Sequence, residues 1–149
     1  MIVKLLHTDP DYAWTFLRII AGLIVLPYGM QKLFGWFGGP GIDGTLNDLD
    51  SRRIPRSIAW LIIVGQSAGS VAILSGFLSR VAAGGLLVIF IGALIVHSGD
   101  GWMMNWYGRK SGEGIEYFVM LDSLLLLIVV KGAGALSVDL WLTKLIPIQ

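Results

Sequence analysis

The sequence predicts an all-α fold: a membrane-embedded four-helix up-down bundle with a glycine- and aromatic-rich loop after its first helix. Three observations predict it. Four apolar segments, at about residues 12–33, 57–78, 80–98 and 114–130, each approach the roughly 20 residues that cross a bilayer. Hydrophobic residues make up 55% of the 149 and charged residues only 14%, where a soluble domain averages about 25% charged. The mean hydropathy is +0.75, and apolar periodicity within each segment is weak, as in helices that are apolar on every side. Four such helices in a chain of this length form one compact unit. Residues 1–149 are therefore read as a single integral membrane domain.

In chain order, Asp9 and Pro10 read as the N-cap and first-turn proline of helix one. Pro27 lacks the N–H that would bond Leu23, which predicts a kink just below Tyr28. In residues 31–41, Gly35, Gly38, Gly39, Pro40 and Gly41 fall within seven positions and cannot continue a helix. Trp36 and Phe37 near Lys32 mark where the chain leaves a bilayer. Within loop 35–56, residues 45–53 suit a short surface helix with Leu46 and Leu49 on one face. Pro55 starts helix two and Gly76 stops it, and the Leu78-Ser79-Arg80 link makes helices two and three an antiparallel hairpin. Gly65 and Gly69 form a GxxxG suited to close helix packing. Loop 99–113 carries Trp102, Met103, Met104, Asn105, Trp106 and Tyr107. Lys131-Gly132-Ala133-Gly134 ends helix four, and the tail, residues 136–148, is expected along the interface.

Both long loops then share one membrane side, and the termini share the other with the Ser79-Arg80 turn. Trp14 and Trp141 suit the aromatic belt on the terminal side. Lys4, Arg18, Arg80, Lys131 and Lys144 on the terminal side nearly balance Lys32, Arg52, Arg53, Arg56, Arg109 and Lys110 on the loop side. Long loops tolerate export, so the expectation is a multi-pass protein of the cytoplasmic (inner) membrane with cytoplasmic termini. Residues 1–10 are too short and too polar for a signal peptide, which leaves helix one as the insertion signal.

Several functions are excluded. A net charge of +1 offers no basic field for nucleic acid. The absence of cysteine removes thiol catalysis, thiolate metal sites and disulfides. No Gly-Lys-Ser/Thr phosphate loop is present. The two histidines, His7 and His97, fall on opposite membrane sides, so they cannot ligate one haem. His97, Glu116 and Asp122 offer only a weak basis for a four-ligand metal site, and no metal site is assigned.

Polar groups inside a bilayer are costly without partners and mark function. At about 1.5 Å per helical residue, Tyr28 lies about 8–9 Å below the loop-side boundary, Gln66 about 12 Å and Asp122 about 10–12 Å. His97, Glu116, Gln31 and Lys32 lie within about one turn of that boundary. The other half of the membrane offers mainly Ser75 and Arg18. Arg18, about 22–24 Å below the loop side, cannot reach Asp122; it is expected to snorkel to headgroups or meet Asp139. The bland alternatives are a carboxyl bonded to a neighbouring helix for Asp122 and interhelical hydrogen bonding for Tyr28 and Gln66.

Lys32-Leu33-Phe34-Gly35-Trp36-Phe37-Gly38-Gly39-Pro40-Gly41, the Gly76-Phe77-Leu78-Ser79-Arg80 turn and His97 at the end of helix three resemble the DoxX family of small four-helix membrane proteins. Asn105-Trp106-Tyr107-Gly108, Gly112-Glu113-Gly114-Ile115-Glu116-Tyr117 and Gly132-Ala133-Gly134-Ala135-Leu136-Ser137-Val138-Asp139 resemble one branch of it. The resemblance spans about residues 12–142. It implies association with thiosulfate:quinone oxidoreductases, quinol oxidase complexes or membrane oxidoreductase assemblies. The family pattern places His before the Gly-x-Gln-Lys motif, Glu in helix two and, in this branch, His after Glu-Tyr. This chain has Tyr28, Gln66 and Phe118 there. Tyr28 and Gln66 keep hydrogen-bonding capacity, whereas Phe118 cannot relay a proton.

The leading expectation is a membrane subunit of an oxidoreductase system that binds a quinone under the loop-side lid. Tyr28, Gln31, Lys32, Trp36, Gln66, His97, Glu116 and Asp122 would form its binding site. Quinone carbonyls accept hydrogen bonds, which suits Tyr28, Gln66, His97 and Lys32 as donors; Asp122 and Glu116 would manage protons. Trp36, Phe37 and Trp106 would pack on the ring or tail. The sequence carries no intrinsic flavin, haem or cysteine motif, so any catalysis needs a redox partner protein. The lipid bilayer is the other partner, and homo-oligomerisation is left open. Two alternatives are a non-catalytic scaffold that recruits a soluble partner through loops 35–56 and 99–113, and, less favoured, a small-molecule or lipid transporter.

Overall fold

The computed structural model describes residues 6–145; Lys4, Ile146 and Ile148 lie outside them. The described residues carry six α-helices: α1 Tyr12–Phe34, α2 Gly41–Ser51, α3 Arg56–Ser75, α4 Ser79–Val96, α5 Glu116–Lys131 and α6 Val138–Leu145. Single 3₁₀ turns lie at Trp36–Gly38 and Ser98–Asp100. Helices α1, α3 and α4 are long and apolar enough to cross a membrane. Helix α5, with 16 residues, spans about 24 Å at 1.5 Å per residue.

Helix boundaries are decided by local backbone chemistry rather than by where apolar runs fade. Asp11, not Asp9, caps α1: its backbone is extended and its carboxylate accepts from the Ala13 N–H at 2.6 Å. Asp9 instead approaches Lys131 at 3.9 Å. Helix α3 stops at Ser75, short of the expected residue 78, because Gly76 turns left-handed at φ 72°. The Phe77 N–H then bonds the Ala72 carbonyl and the Gly76 N–H that of Ile73, closing the helix end. Helix α1 continues through Pro27 as one element.

Helix α1 packs most extensively on α3, α4 on α5, and the pairs α3–α4 and α1–α5 complete a ring. The shared core is Ala21, Val25, Ile73, Ala83, Leu86, Phe90, Leu121, Leu125 and Ile128. Lipid is as apolar as leucine, so helices gain little by hiding apolar surface from it, and close packing at small residues holds them together. Gly29 meets the backbone of α3: a Cβ there would lie 2.7 Å from Ser67 Cα and 2.8 Å from the Gln66 carbonyl. At the same crossing the Ser67 hydroxyl donates to the Gly29 carbonyl at 3.0 Å. Gly65 and Gly69 admit Ile89 and Leu86 of α4, which bears out the GxxxG reading. The outer faces stay apolar, with Phe16, Leu61, Val64, Val88 and Met120 all exposed, as contact with acyl chains requires.

The loop helix α2 is longer and better buried than the surface helix expected at 45–53. Leu46 is buried against Ala59 and Ile63 of α3, with Leu33, Ile42 and Leu49 packed around them. It therefore wedges between the end of α1 and the start of α3.

Buried polar residues occupy both ends of the molecule, which corrects the expectation of a one-sided polar layer. Arg18 is 1% exposed and does not snorkel. Its guanidinium donates to the carbonyls of Ala133 (2.7 Å), Ile73 (2.5 Å), Leu136 (2.6 Å) and Leu74. Asp139 on α6 is equally buried and accepts from the N–H groups of Leu78 (2.7 Å) and Ser79 (2.9 Å). Arg80 donates to the Val129 and Val130 carbonyls that end α5 and to the His7 carbonyl. Cations thus sit at two helix C-termini and an anion at a helix N-terminus, as the helix dipoles favour.

Candidate functional site

The two ends differ in how well their polar atoms are satisfied. The Gln66 Oε1, the Tyr117 hydroxyl and both carboxylate oxygens of Asp122 are buried with no hydrogen-bond partner among the described residues. Among the described residues on the terminal side, only the Ser79 hydroxyl shares that condition. Buried polar atoms without partners are costly and rare, and each calls for a reason.

One of these residues, Tyr117, belongs to a run of rings that crosses the helices. Lys32 and Tyr28 lie one turn apart on α1, and the Lys32 ammonium sits 5.8 Å from the Tyr28 ring centroid. The Tyr28 ring lies 5.8 Å from that of Tyr117 on α5, and Tyr117 meets Phe118 edge-on at 5.4 Å. Phe118 in turn stacks on His97 at the end of α4, with centroids 5.4 Å apart and planes at 13°. Residues of α1, α5 and α4 are thereby joined within the loop-side half. Asp122 lies one turn beyond Phe118 on the same face of α5, at the i, i+4 spacing.

His97 closes the run. Its Nδ1 lies 2.8 Å from the Asp100 carboxylate, whose same oxygen accepts from the Glu113 N–H at 3.2 Å. The hydrogen bond from His97, followed by that from Glu113, holds the Asp100 carboxyl below the usual carboxylate range.

The remaining candidates are placed differently. Gln31 and Lys32 line a cleft of about 400 Å³ with Pro40, Thr45, Asp48 and Leu49, in the size range of small-molecule sites. Gly35, Phe37 and Gly38, at φ 71°, 55° and 74°, turn the chain back, so that Gly39 packs against Gln31. Trp36 is 56% exposed and stacks on Phe34 at 5.1 Å, not on the Tyr28–Tyr117 pair. Phe37 is also exposed. Glu116 accepts from the Trp106 indole at 3.2 Å. Gln66 is 5% exposed on α3, beside the Gly29 crossing. No three His, Cys, Asp or Glu side chains among the described residues gather closely enough to hold a metal ion.

Sequence reasoning missed Tyr117 and Asp100 as site residues and noted Phe118 only as a position that cannot relay a proton. Asp100 was accessible, since an acid three residues after a helix-ending histidine is placed to meet it. Tyr117 was not, because its importance comes from Tyr28 on another helix.

Among the described residues, three helices long and apolar enough to cross a membrane, an apolar exterior and buried unpartnered polar atoms define a small helical membrane protein. The family model that matches the chain is DoxX, over residues 13–99; the chain belongs to the DoxX family. It is similar to the inner membrane protein YqjF of Escherichia coli (strain K12), 28% identical over 134 residues that cover 83% of this chain and 93% of the relative. No solved structure matches it.

Proposed function

We propose that this protein is the membrane subunit of an oxidoreductase system and binds a quinone or similar small molecule in the loop-side half, between α1, α3, α4 and α5. The carrying observation is the pairing of unsatisfied buried polar atoms, on Tyr117 and Asp122, with the ring run from Tyr28 to His97. A flat ring with two carbonyls matches such a setting: aromatic faces pack on the ring, and hydroxyl, amide and ammonium donors meet its oxygens. Tyr28, Tyr117 and Gln66 supply neutral hydrogen bonds, Lys32 a cationic one, and Asp122 and His97 hold protons at the two ends. A bound quinone supplies two-electron, two-proton chemistry; electrons come from a partner protein.

In this reading α5 makes the fourth crossing of an up-down bundle, and the single domain sits in the cytoplasmic membrane with both termini cytoplasmic. The E. coli relative is named an inner membrane protein, which supports the membrane assignment. A ubiquinone or menaquinone analogue raises the thermal stability of the purified protein, and Tyr28→Phe combined with Gln66→Leu abolishes the rise. No shift at saturating analogue overturns the reading.

A scaffold role has one observation of its own in favour: Trp102, Met103, Trp106 and Tyr107 are all exposed on loop 99–113. In that case exchanging the loop abolishes complex formation with a redox partner, while substitutions at Tyr28, Gln66 and Asp122 leave it intact.

A further inference from the structure

The loop that follows α4 returns to α5 through Gly112-Glu113-Gly114, and its path is built around one carboxylate. A Cβ on Gly112 would strike the Asp100 carboxylate, and one on Gly114 would strike the Met103 carbonyl. Glycine at these positions lets the returning backbone bring the Glu113 N–H to Asp100 at 3.2 Å. On its other side the same oxygen meets His97 Nδ1 at 2.8 Å. An ionised carboxylate only accepts hydrogen bonds, so Nδ1 must carry the proton. That assigns the neutral ring its tautomer: Nε2 is the basic nitrogen, and it makes no hydrogen bond to any described residue. Stacking on Phe118, with planes 13° apart, fixes the ring in the other two rotational senses.

We propose that Asp100 is a positioning residue that holds His97 as a single-tautomer base, with Nε2 presented at the loop-side rim of the ligand site. The identity of the proton donor rests on the quinone reading above; the tautomer does not. In the step this permits, Nε2 takes one proton from a ligand hydroxyl or from water, and the donor keeps the electron pair as its conjugate base. The resulting imidazolium is stabilised by the Asp100 carboxylate, and the proton leaves to loop-side water when His97 returns to neutral. A hydrogen-bonded carboxylate orients an imidazole in this way. Among the described residues no other charged side chain hydrogen-bonds to the dyad or forms an ion pair with it. Glu113 reaches Asp100 by its backbone, Glu116 is held by Trp106, and the α5 residue facing the ring, Phe118, does not titrate.

The test reads the ring directly. The chain has only two histidines, so nitrogen-15 NMR of histidine-labelled protein in detergent, with His7→Gln to remove the second signal, reports the His97 tautomer. The neutral ring is expected to show the Nδ1–H pattern, lost in Asp100→Ala and weakened in Asp100→Asn, with helical content unchanged. A mixed or Nε2–H ring in the protein with native Asp100 overturns the proposal and needs no variant to fold. Titrating a quinone analogue separates the two readings. A fixed tautomer with no analogue binding sinks the quinone reading and leaves the positioning role standing. Binding with a mixed tautomer does the reverse.

Discussion

Arg18 and Asp139 are both buried to 1% exposure at the terminal-side end of the molecule, and each makes its hydrogen bonds to backbone rather than to the other. Arg18 binds the carbonyls that end α3 and shape the turn after α5; Asp139 binds the N–H groups that start α4. The backbone of the same α6 residue donates to the Gly76 carbonyl at 2.9 Å. The C-terminal helix is thereby tied to the hairpin between α3 and α4.

Losing either side chain leaves buried backbone groups without partners. Each unsatisfied group costs about 1–3 kcal/mol, so Arg18→Met is expected to destabilise the protein by more than about 3 kcal/mol. Arg18→Lys recovers little, because one ammonium cannot span carbonyls from two segments. Asp139→Ala removes an N-cap and costs about 1–2 kcal/mol. Denaturant titration in mixed micelles, followed by circular dichroism, measures all three.

Glycines on the helices separate into two kinds. Gly29→Ala drives a methyl into the backbone of α3, and backbone cannot swing aside as a side chain can. A loss of about 1–3 kcal/mol is expected from overpacking. Gly85→Ala meets nothing within 4 Å and should stabilise α4 by up to about 1 kcal/mol through helix propensity. Equal effects of the two substitutions would refute the α1–α3 crossing described above.

Unsatisfied polar atoms trade stability for a site. Tyr117→Phe removes a buried hydroxyl that has no partner among the described residues, so it should raise stability by about 1 kcal/mol while lowering analogue affinity. Asp122→Leu should act in the same direction on both measurements. Calorimetry with and without the quinone analogue checks both. A clear loss of stability in the ligand-free protein would mean that these atoms are satisfied.

The Asp100 contact has a defined pH dependence. Its folded-state pKa is depressed by the His97 and Glu113 hydrogen bonds, while an unfolded aspartate titrates at about 3.9. The stabilisation is therefore complete above about pH 4 and is lost as pH falls through the lower, folded value. Hydrogen exchange at the Glu113 amide, corrected for intrinsic rate, should accelerate in that acid window. Asp100→Asn should remove the pH dependence, and an unchanged profile in this variant would show that another group controls the loop.

Much of the fold was legible because its signals are local. Uninterrupted apolar runs located α1, α3, α4 and α5, and glycines and prolines located the breaks between them. The extent of α2 was less legible, because Leu46 reads as one apolar residue in a polar loop until the groove between α1 and α3 is there to receive it. Among the site residues, depth along a helix brought forward Tyr28, Lys32, Gln66, His97 and Asp122. It could not show that Trp36 would stack on Phe34 or that Glu116 would engage Trp106, since those are choices of rotamer and partner.

The sequence by itself determined that this chain belongs in a bilayer, where its long helices run and which polar residues they carry, because hydropathy and backbone propensity act over a few neighbouring residues. Only the tertiary structure decided which of those polar groups are satisfied. Arg18 finds its carbonyls 55 to 118 positions away, whereas Tyr117 and Asp122 find none among the described residues. Satisfaction of a buried polar atom depends on which helices meet, and helices from distant parts of the chain meet only once it has folded.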